Sequence, residues 1–359
     1  MSNASNSPMP EITVGMDVGD KYLHLCFLDG GGEVVEEARL AAKPGAVHQR
    51  FAPAERCRIV LEAGGHSPWL SRLLLELGHE VYVANPRRLR AIYLNESKSD
   101  KVDAEYLARI GRLDPALLSP LSHRSPQTQA DLAVIRGRNA LVRARTALIN
   151  HVRGVVKSAG GRLPKCDGEY FARKAEGRLP VELEPALAPI MAVIAELSSK
   201  IRGYEQGIEK MADQCYPETG LLRQVAGVGR LVATSFVLTV EDPTRFGRSR
   251  SIGSYVGLRP RQAESGTLRP QLHITKAGDR DLRRLLVGSA QYILGPFGPD
   301  SDLRRWGLKL AERGGANAKK RAVVAVARKL AVLLLRLWVT GEVYEPLRNT
   351  RRREALAGG

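Results

Sequence analysis

Between Leu187 and Met211 the apolar residues Leu187, Ile190, Ile194, Leu197, Ile201, Tyr204, Ile208 and Met211 alternate spacings of three and four without a miss. An α-helix gathers such a series onto one stripe, and the stripe must be covered along its length. Isoleucine at three of the four a-type positions, Ile194, Ile201 and Ile208, favours a two-stranded coiled coil. An intramolecular hairpin with the preceding helix would cover the same stripe.

That preceding segment has no Asp or Glu from Leu132 to Cys166, while Ile135, Val142, Ile149 and Val156 recur every seven residues. An apolar seam with basic flanks results, and Arg136, Arg138, Arg143, Arg145, Arg153 and Lys157 are its candidates for contacts with a nucleic-acid backbone. The formal charge of +17 points to polyanionic partners. Aromatic residues are only 5% of the chain, which favours recognition of helical shape over stacking on splayed bases.

A membrane is not the expected partner. The stretch AVVAVARKLAVLLLRLWV is interrupted by Arg328, Lys329 and Arg336 and reads as a buried helix. The opening MSNASNSPMP lacks the pattern of a secretory signal and reads as a disordered leader. The four cysteines, Cys26, Cys57, Cys166 and Cys215, form no CxxC pair, so a reducing cytosol without a disulfide framework or zinc site is expected.

The N-terminal third has a different grammar. ITVGMDVG, KYLHLCFLD and EVVEEARL read as a three-strand meander; RIVLEAGG and EVYVANP are further strands, separated by the helix HSPWLSRLLLELG that Gly78 ends. Strands joined through a helix imply an α/β sheet. Asp17 breaks the apolar pattern of the first strand and Glu62 closes the fourth. In NESKSDKVDAEYLARI, Ser99 is a candidate helix N-cap, with Asp100 and Asp103 in the first turn about 60° apart around the axis. Carboxylates that close repel, so either Lys98 and Lys101 or a divalent cation must offset them. Four oxygen ligands suit Mg2+, and two such ions about 4 Å apart can serve displacement at phosphorus. The ordinary alternative is a turn residue, a solvated glutamate and a helix N-terminus.

A third unit begins near Gly220 with LLRQVAGVGRLVATSFVLTV. Its Gly227 and Gly229 suit a helix-hairpin-helix-like turn, where backbone amides meet phosphate, or a plain inter-helix turn. Arg259, Arg261, Lys276, Arg280, Arg283 and Arg284 flank the segment RQAESG and are candidates for phosphate neutralisation. By itself Ser265 followed by Gly266 is only a turn dipeptide. The tail RNTRRREALAGG is expected to fray.

An acidic residue in strand one, a Glu closing strand four and a D-x-x-D helix resemble the RuvC-type RNase H fold. The wording SKSDKVDA resembles the DEDD transposases of bacterial insertion sequences. The block LLRQVAGVGRLVATSFVLTVEDPTRFGRSRSIGSYVGLRPRQAESG, followed by HITKAGDRDLRRLL, resembles the second block of the insertion-sequence one-ten family, whose members are guided by a bridge RNA. The likeness runs from Val14 to about Tyr344. It implies that Asp17, Glu62, Asp100 and Asp103 bind Mg2+, two ions per site, and that Ser265 is the nucleophile that forms a covalent DNA intermediate. It also implies a guide RNA, donor and target DNA, homodimers pairing into tetramers, and a bacterial cytoplasmic, nucleoid-associated protein.

The expected organisation is a leader at 1–10, a RuvC-like α/β domain at 11–125, a basic helical and coiled-coil linker at 126–216, a mostly α serine-bearing domain at 217–347 and a basic tail at 348–359. Two rival readings remain at this point. One is a metal-dependent nuclease or Holliday-junction resolvase acting by hydrolysis; the other is a non-enzymatic nucleic-acid scaffold.

Overall fold

The computed structural model describes residues 10–89, 99–263, 272–315 and 317–357. Ser265, the expected nucleophile, and Lys98 lie outside them. The chain divides into two compact units between Arg124 and Ser125.

The first unit is built on β1 (Thr13–Val18), β2 (Tyr22–Leu28), β3 (Val34–Ala41), β4 (Arg58–Glu62) and β5 (Glu80–Ala84), in the order β3-β2-β1-β4-β5. The meander is antiparallel, whereas β4 lies parallel to β1 and β5 parallel to β4. This mixed sheet is consistent with the RNase H-like fold expected from the acidic pattern. Helices α1 (Pro44–Phe51) and α2 (Ser67–Glu76) contribute Val47, Phe51, Leu70 and Leu74 to a core with Val14, Met16, Leu23, Leu25, Ile59 and Leu61. Gly78 ends α2 with φ +89°, a conformation that favours glycine. After α3 (Pro86–Leu89), α4 (Asp100–Leu113) packs Ala104 and Ala108 against Cys26 and Leu28, and Leu107 and Ile110 against Val60 and Ala84. The β3 edge is mostly exposed and carries Glu36, Glu37 and Arg39, charges that discourage pairing with another strand.

The second unit is helical. α5 (Pro126–Ser158) runs to a loop that holds α6 (Phe171–Ala175), and α7 (Glu184–Cys215) returns along it. Ile149, Val152 and Val156 cluster with Leu187 and Ile194, while Leu132 and Ile135 cluster with Ile208, so the two helices are antiparallel. The seam on α7 is therefore covered within the chain, by the hairpin rather than by a second coil strand. Leu187, Ile194, Ile201 and Ile208 are buried, whereas Ile190, Leu197 and Met211 are half-buried and Tyr204 is exposed. The acid-free sequence continues past the end of α5 at Ser158, into the loop.

Beyond the hairpin lie α8 (Glu218–Leu222), α9 (Arg230–Val240), α10 (Ile252–Tyr255), α11 (Arg280–Leu294), α12 (Asp302–Ala311), α13 (Ala318–Thr340) and α14 (Arg348–Ala357). Their core surrounds α13, where Val326, Ala327, Leu330, Ala331, Leu334 and Leu335 are wholly covered. Lys329 lies 4.3 Å from the centre of the Trp306 ring, so the basic residues of α13 keep to its surface. No helix among the described residues is long and apolar enough to cross a membrane.

The tail expected to fray forms α14 instead. The Asp302 carboxylate accepts from the Asn349 and Thr350 amides at 2.6 and 3.2 Å and from the Thr350 hydroxyl at 2.6 Å, satisfying first-turn donors that a loose tail would give to water. Asp302→Ala is expected to cost about 1 kcal/mol, the usual worth of a cap, and to raise amide hydrogen exchange within α14 first. Unchanged exchange there would show that packing, not the cap, holds the tail.

Candidate active site

The position of α4 follows from two glycines. A Cβ on Gly15 would lie 1.9 Å from the Ala104 carbonyl oxygen and 2.5 Å from the Ala108 amide nitrogen; one on Gly111 would lie 2.2 Å from Cγ2 of Val60. Helix and strands thus meet at a separation that side chains would prevent. Along β1 side chains alternate, so Asp17 shares the α4 face with Gly15 while Val14 and Met16 enter the opposite core. One turn before Ala104, the first turn of α4 presents Asp100 and Asp103. Ser99 fixes where that turn begins, its Oγ accepting from the Val102 amide at 3.4 Å, as its place in the sequence predicts.

Glu62 joins from the parallel neighbour. Leu61 is paired with Met16, so the next residue on β4 lies beside Asp17 on the same face. The electrostatics agree with the placement. Burial, Asp100, Asp103 and Glu62 all raise the Asp17 carboxyl against the lowering effect of His24, leaving its pKa at about 6. The four acids expected from sequence therefore converge around one strand end, all within the first unit.

Of the two lysines offered as partners of the pair, Lys101 turns elsewhere. Lys101 donates to Glu37 on β3 at 2.8 Å. Sequence reasoning passed over His24, which the antiparallel register sets directly opposite Asp17. Its Nδ1 lies 3.4 Å from an Asp100 oxygen. At that length the two atoms make an ion-pair contact and not a hydrogen bond, and among the described residues this buried nitrogen has no hydrogen-bond partner. Ligand atoms of Asp17, His24 and Asp100 all lie within 4.8 Å of one another, a spacing one cation can span. The orphaned nitrogen and the mutually repelling carboxylates make a donor set that fits a divalent cation. Only the register across the tight turn after Val18, which pairs residue 17 with residue 24, reveals the place of His24.

The basic candidates occupy varied settings. Arg153 donates to the carbonyls of Leu163 and Pro164 at 3.1 and 2.6 Å and lies over the Phe171 ring, fastening the hairpin loop. Arg283 donates to the Val256 and Ala277 carbonyls at 3.2 and 2.7 Å. Arg145 is half-buried beside Ser198, and burial and Arg138 push its pKa down. Arg138 pairs with Glu205, Arg136 with Asp279 at 3.4 Å and Arg143 with Asp281 at 3.6 Å. Lys157, Arg259, Arg261, Lys276, Arg280 and Arg284 are exposed. Segments 259–261 and 273–275 pair across Pro260 and Ile274, bringing together the two stretches that flank Ser265 in sequence.

Gly227 has φ +84° and Gly229 is the N-cap of α9, so the AGVG step does turn the chain into a helix. Arg284, distant in sequence, lines the same groove as Gly227, Gly229 and Arg223. A free helix N-terminus flanked by guanidinium groups is suited to phosphate.

Two segments of the chain match family models. Residues 14–160 match a family model for DEDD transposases of the IS110 type, and residues 219–301 match one described as the transposase IS116/IS110/IS902 family. The transposase for insertion sequence element IS1111A of Coxiella burnetii is 28% identical over 340 residues, covering 92% of this chain and 90% of that protein. A probable family 20 transposase of Pseudomonas aeruginosa is 28% identical over 340 residues, covering 93% and 98%. A pilin gene-inverting protein of Moraxella lacunata is 23% identical over 291 residues, covering 77% and 78%.

Proposed function

The chain belongs to the IS110 family of transposases, and on that premise we propose that it is an RNA-guided DNA recombinase using the Asp17, Glu62, Asp100 and Asp103 site together with Ser265. The observation that carries the reading is the convergence of three further carboxylates on Asp17, whose pKa is lifted to about 6 by burial first and then by those charges. A chain of +17 net charge has no structural need for so concentrated a negative site. Holding cations against a DNA phosphate is a use for it.

Asp17, Glu62, Asp100 and Asp103 would hold Mg2+, two ions at most being reasonable for four carboxylates. When bound, the cations supply Lewis acidity at phosphorus and lower the pKa of an attacking hydroxyl. Ser265 Oγ would form a bond to phosphorus as one backbone P–O ester bond breaks, its proton passing to the departing oxygen. Attack by another strand's hydroxyl then releases the serine with a rejoined backbone. No bond energy is lost to hydrolysis, and the relative named as a gene-inverting protein supports such rejoining over simple cleavage.

The groove at Gly227, Gly229 and Arg284, as a helix-hairpin-helix-like element, and the exposed Lys157, Arg259, Arg261, Lys276 and Arg280 would contact backbone phosphates of DNA and guide RNA. Arg136, Arg138, Arg143, Arg145, Arg153 and Arg283 remain candidates only where nucleic acid replaces or adds to their partners within the chain. A homodimer, with dimers pairing to tetramers, would bring two DNA molecules together; because α5 covers the seam on α7, that seam is not what would join the protomers.

Ser265→Ala tests the nucleophile. The expected result is loss of the covalent protein–DNA adduct and of strand exchange, a fall of at least about a thousandfold as for other removed nucleophiles, with the co-purifying RNA unchanged. Strand exchange that survives the change excludes the serine mechanism and favours hydrolysis of the resolvase kind. Sequencing the RNA retained through a high-salt wash tests guidance: one discrete structured species is expected, and a heterogeneous mixture would mean general polyanion binding.

A further inference from the structure

We propose that His24 is a ligand of the acidic site, giving it a nitrogen donor and a preference for a first-row transition cation such as Mn2+ over Mg2+. The inference rests on the metal-binding reading above and goes beyond it in naming a fifth residue and a selectivity.

Three observations place the imidazole. The antiparallel register sets His24 opposite Asp17, and on β2 it shares the α4 face with Cys26 and Leu28, whereas Leu23 and Leu25 enter the other core. Its Nδ1 is 3.4 Å from an Asp100 oxygen and within 4.8 Å of an Asp17 oxygen. In an octahedral sphere with bonds of about 2.1 Å, neighbouring ligands stand about 3 Å apart and opposite ones about 4.2 Å, so the 3.4 Å pair fits one ion and a set bounded at 4.8 Å comes within its reach by a small side-chain adjustment. Lastly, the nitrogen is buried and unpartnered, although a carboxylate lies within reach. An atom meant only to pair with Asp100 would be expected to close to a hydrogen bond; an atom aimed at a shared centre need not.

The chemistry decides the selectivity. Mg2+ takes oxygen ligands and dehydrates reluctantly, so replacing one of its waters with imidazole gains little. First-row divalent cations accept nitrogen more readily, and their affinities rise from Mn2+ across the series. A site with oxygens from Asp17, Asp100, Asp103 and Glu62 would suit either class. One nitrogen tips the balance.

The full-length protein, stripped of metal and titrated with MnCl2, provides the test. Electron spin echo modulation of the bound ion reports directly coordinated nitrogen. The expected wild-type result is modulation from one imidazole nitrogen, with MgCl2 competing at about tenfold higher concentration or more. In His24→Ala the modulation vanishes and Mn2+ affinity falls by about tenfold, while Mg2+ affinity changes by less than about threefold. Asp17→Asn should remove the signal altogether. If Mn2+ binds, depends on Asp17 and shows no nitrogen modulation, the acidic site stands and His24 is only the counter-ion of Asp100. Should Mn2+ binding be indifferent to Asp17→Asn, the metal reading itself fails and the proposal with it. The wild-type spectrum decides between ligand and counter-ion even if His24→Ala does not fold.

Discussion

Asp17→Asn is expected to give a metal-free protein more stable than its parent at pH 7.5 and devoid of strand transfer. Folding raises the Asp17 carboxyl from its ordinary value of 3.8 to about 6, through burial first and then Asp100, Asp103 and Glu62. The folded chain therefore holds this proton more tightly than the unfolded chain does. As pH rises from about 4, the unfolded state ionises first, and stability falls until the folded carboxyl has also ionised above about pH 6. A shift of this size corresponds to roughly 3 kcal/mol, and a group that is only half-buried is expected to realise the lower part of that, about 1 to 2 kcal/mol. Thermal unfolding of both proteins in a chelator, at pH 7.5 and at pH 4.5, measures it. Asp17→Asn should unfold at higher temperature at pH 7.5, with the difference shrinking at pH 4.5 as the parent's carboxyl gains its proton. Added divalent cation should stabilise the parent and leave the variant nearly unmoved. Equal stability at pH 7.5 in the chelator would mean that the carboxylates do not crowd one another in solution.

Gly15→Ala tests the seat of α4. The added Cβ would lie 1.9 Å from the carbonyl oxygen of Ala104 and 2.5 Å from the amide of Ala108, both backbone atoms that cannot swing aside. Helix and strand must separate, at a cost of about 3 kcal/mol or more, the upper range for overpacking. Lifting α4 also withdraws Asp100 and Asp103 from Asp17, so metal affinity should fall with stability, although no ligand has been touched. Gly45→Ala in α1 is the control, since a Cβ there meets nothing within 4 Å. Urea unfolding and metal titration of the two variants decide the matter. If Gly15→Ala and Gly45→Ala behave alike, α4 does not rest on β1 as described.

Patterns that depend on neighbours in sequence were legible without coordinates. Alternation marked the meander, Ser99 announced the start of α4, and the three-residue spacing put Asp100 and Asp103 together. Features that depend on register were not. His24 looks like one polar residue in an alternating strand until β2 is aligned with β1. Gly15 reads as a weak spot in a strand until a helix arrives above it. The seam on α7 predicted a covered stripe correctly but could not say which chain would cover it, because heptads define a surface and not its occupant. The tail was misjudged for a related reason: its composition is that of a frayed segment, and the Asp302 cap that orders it lies more than forty residues away.

The hairpin of α5 and α7 has a consequence for how such chains diversify. It leaves from Leu132 and Ile135 and returns to Ile208, and all three share a cluster with Leu238 of α9, so both feet stand on the same ground. Deleting or adding one heptad in each arm, in matched register, would shorten or lengthen the arm by about 10 Å without moving either foot. Span is thus an independently heritable dimension: lineages could resize the arm to suit a longer or shorter nucleic acid while the body to which it is rooted stays the same.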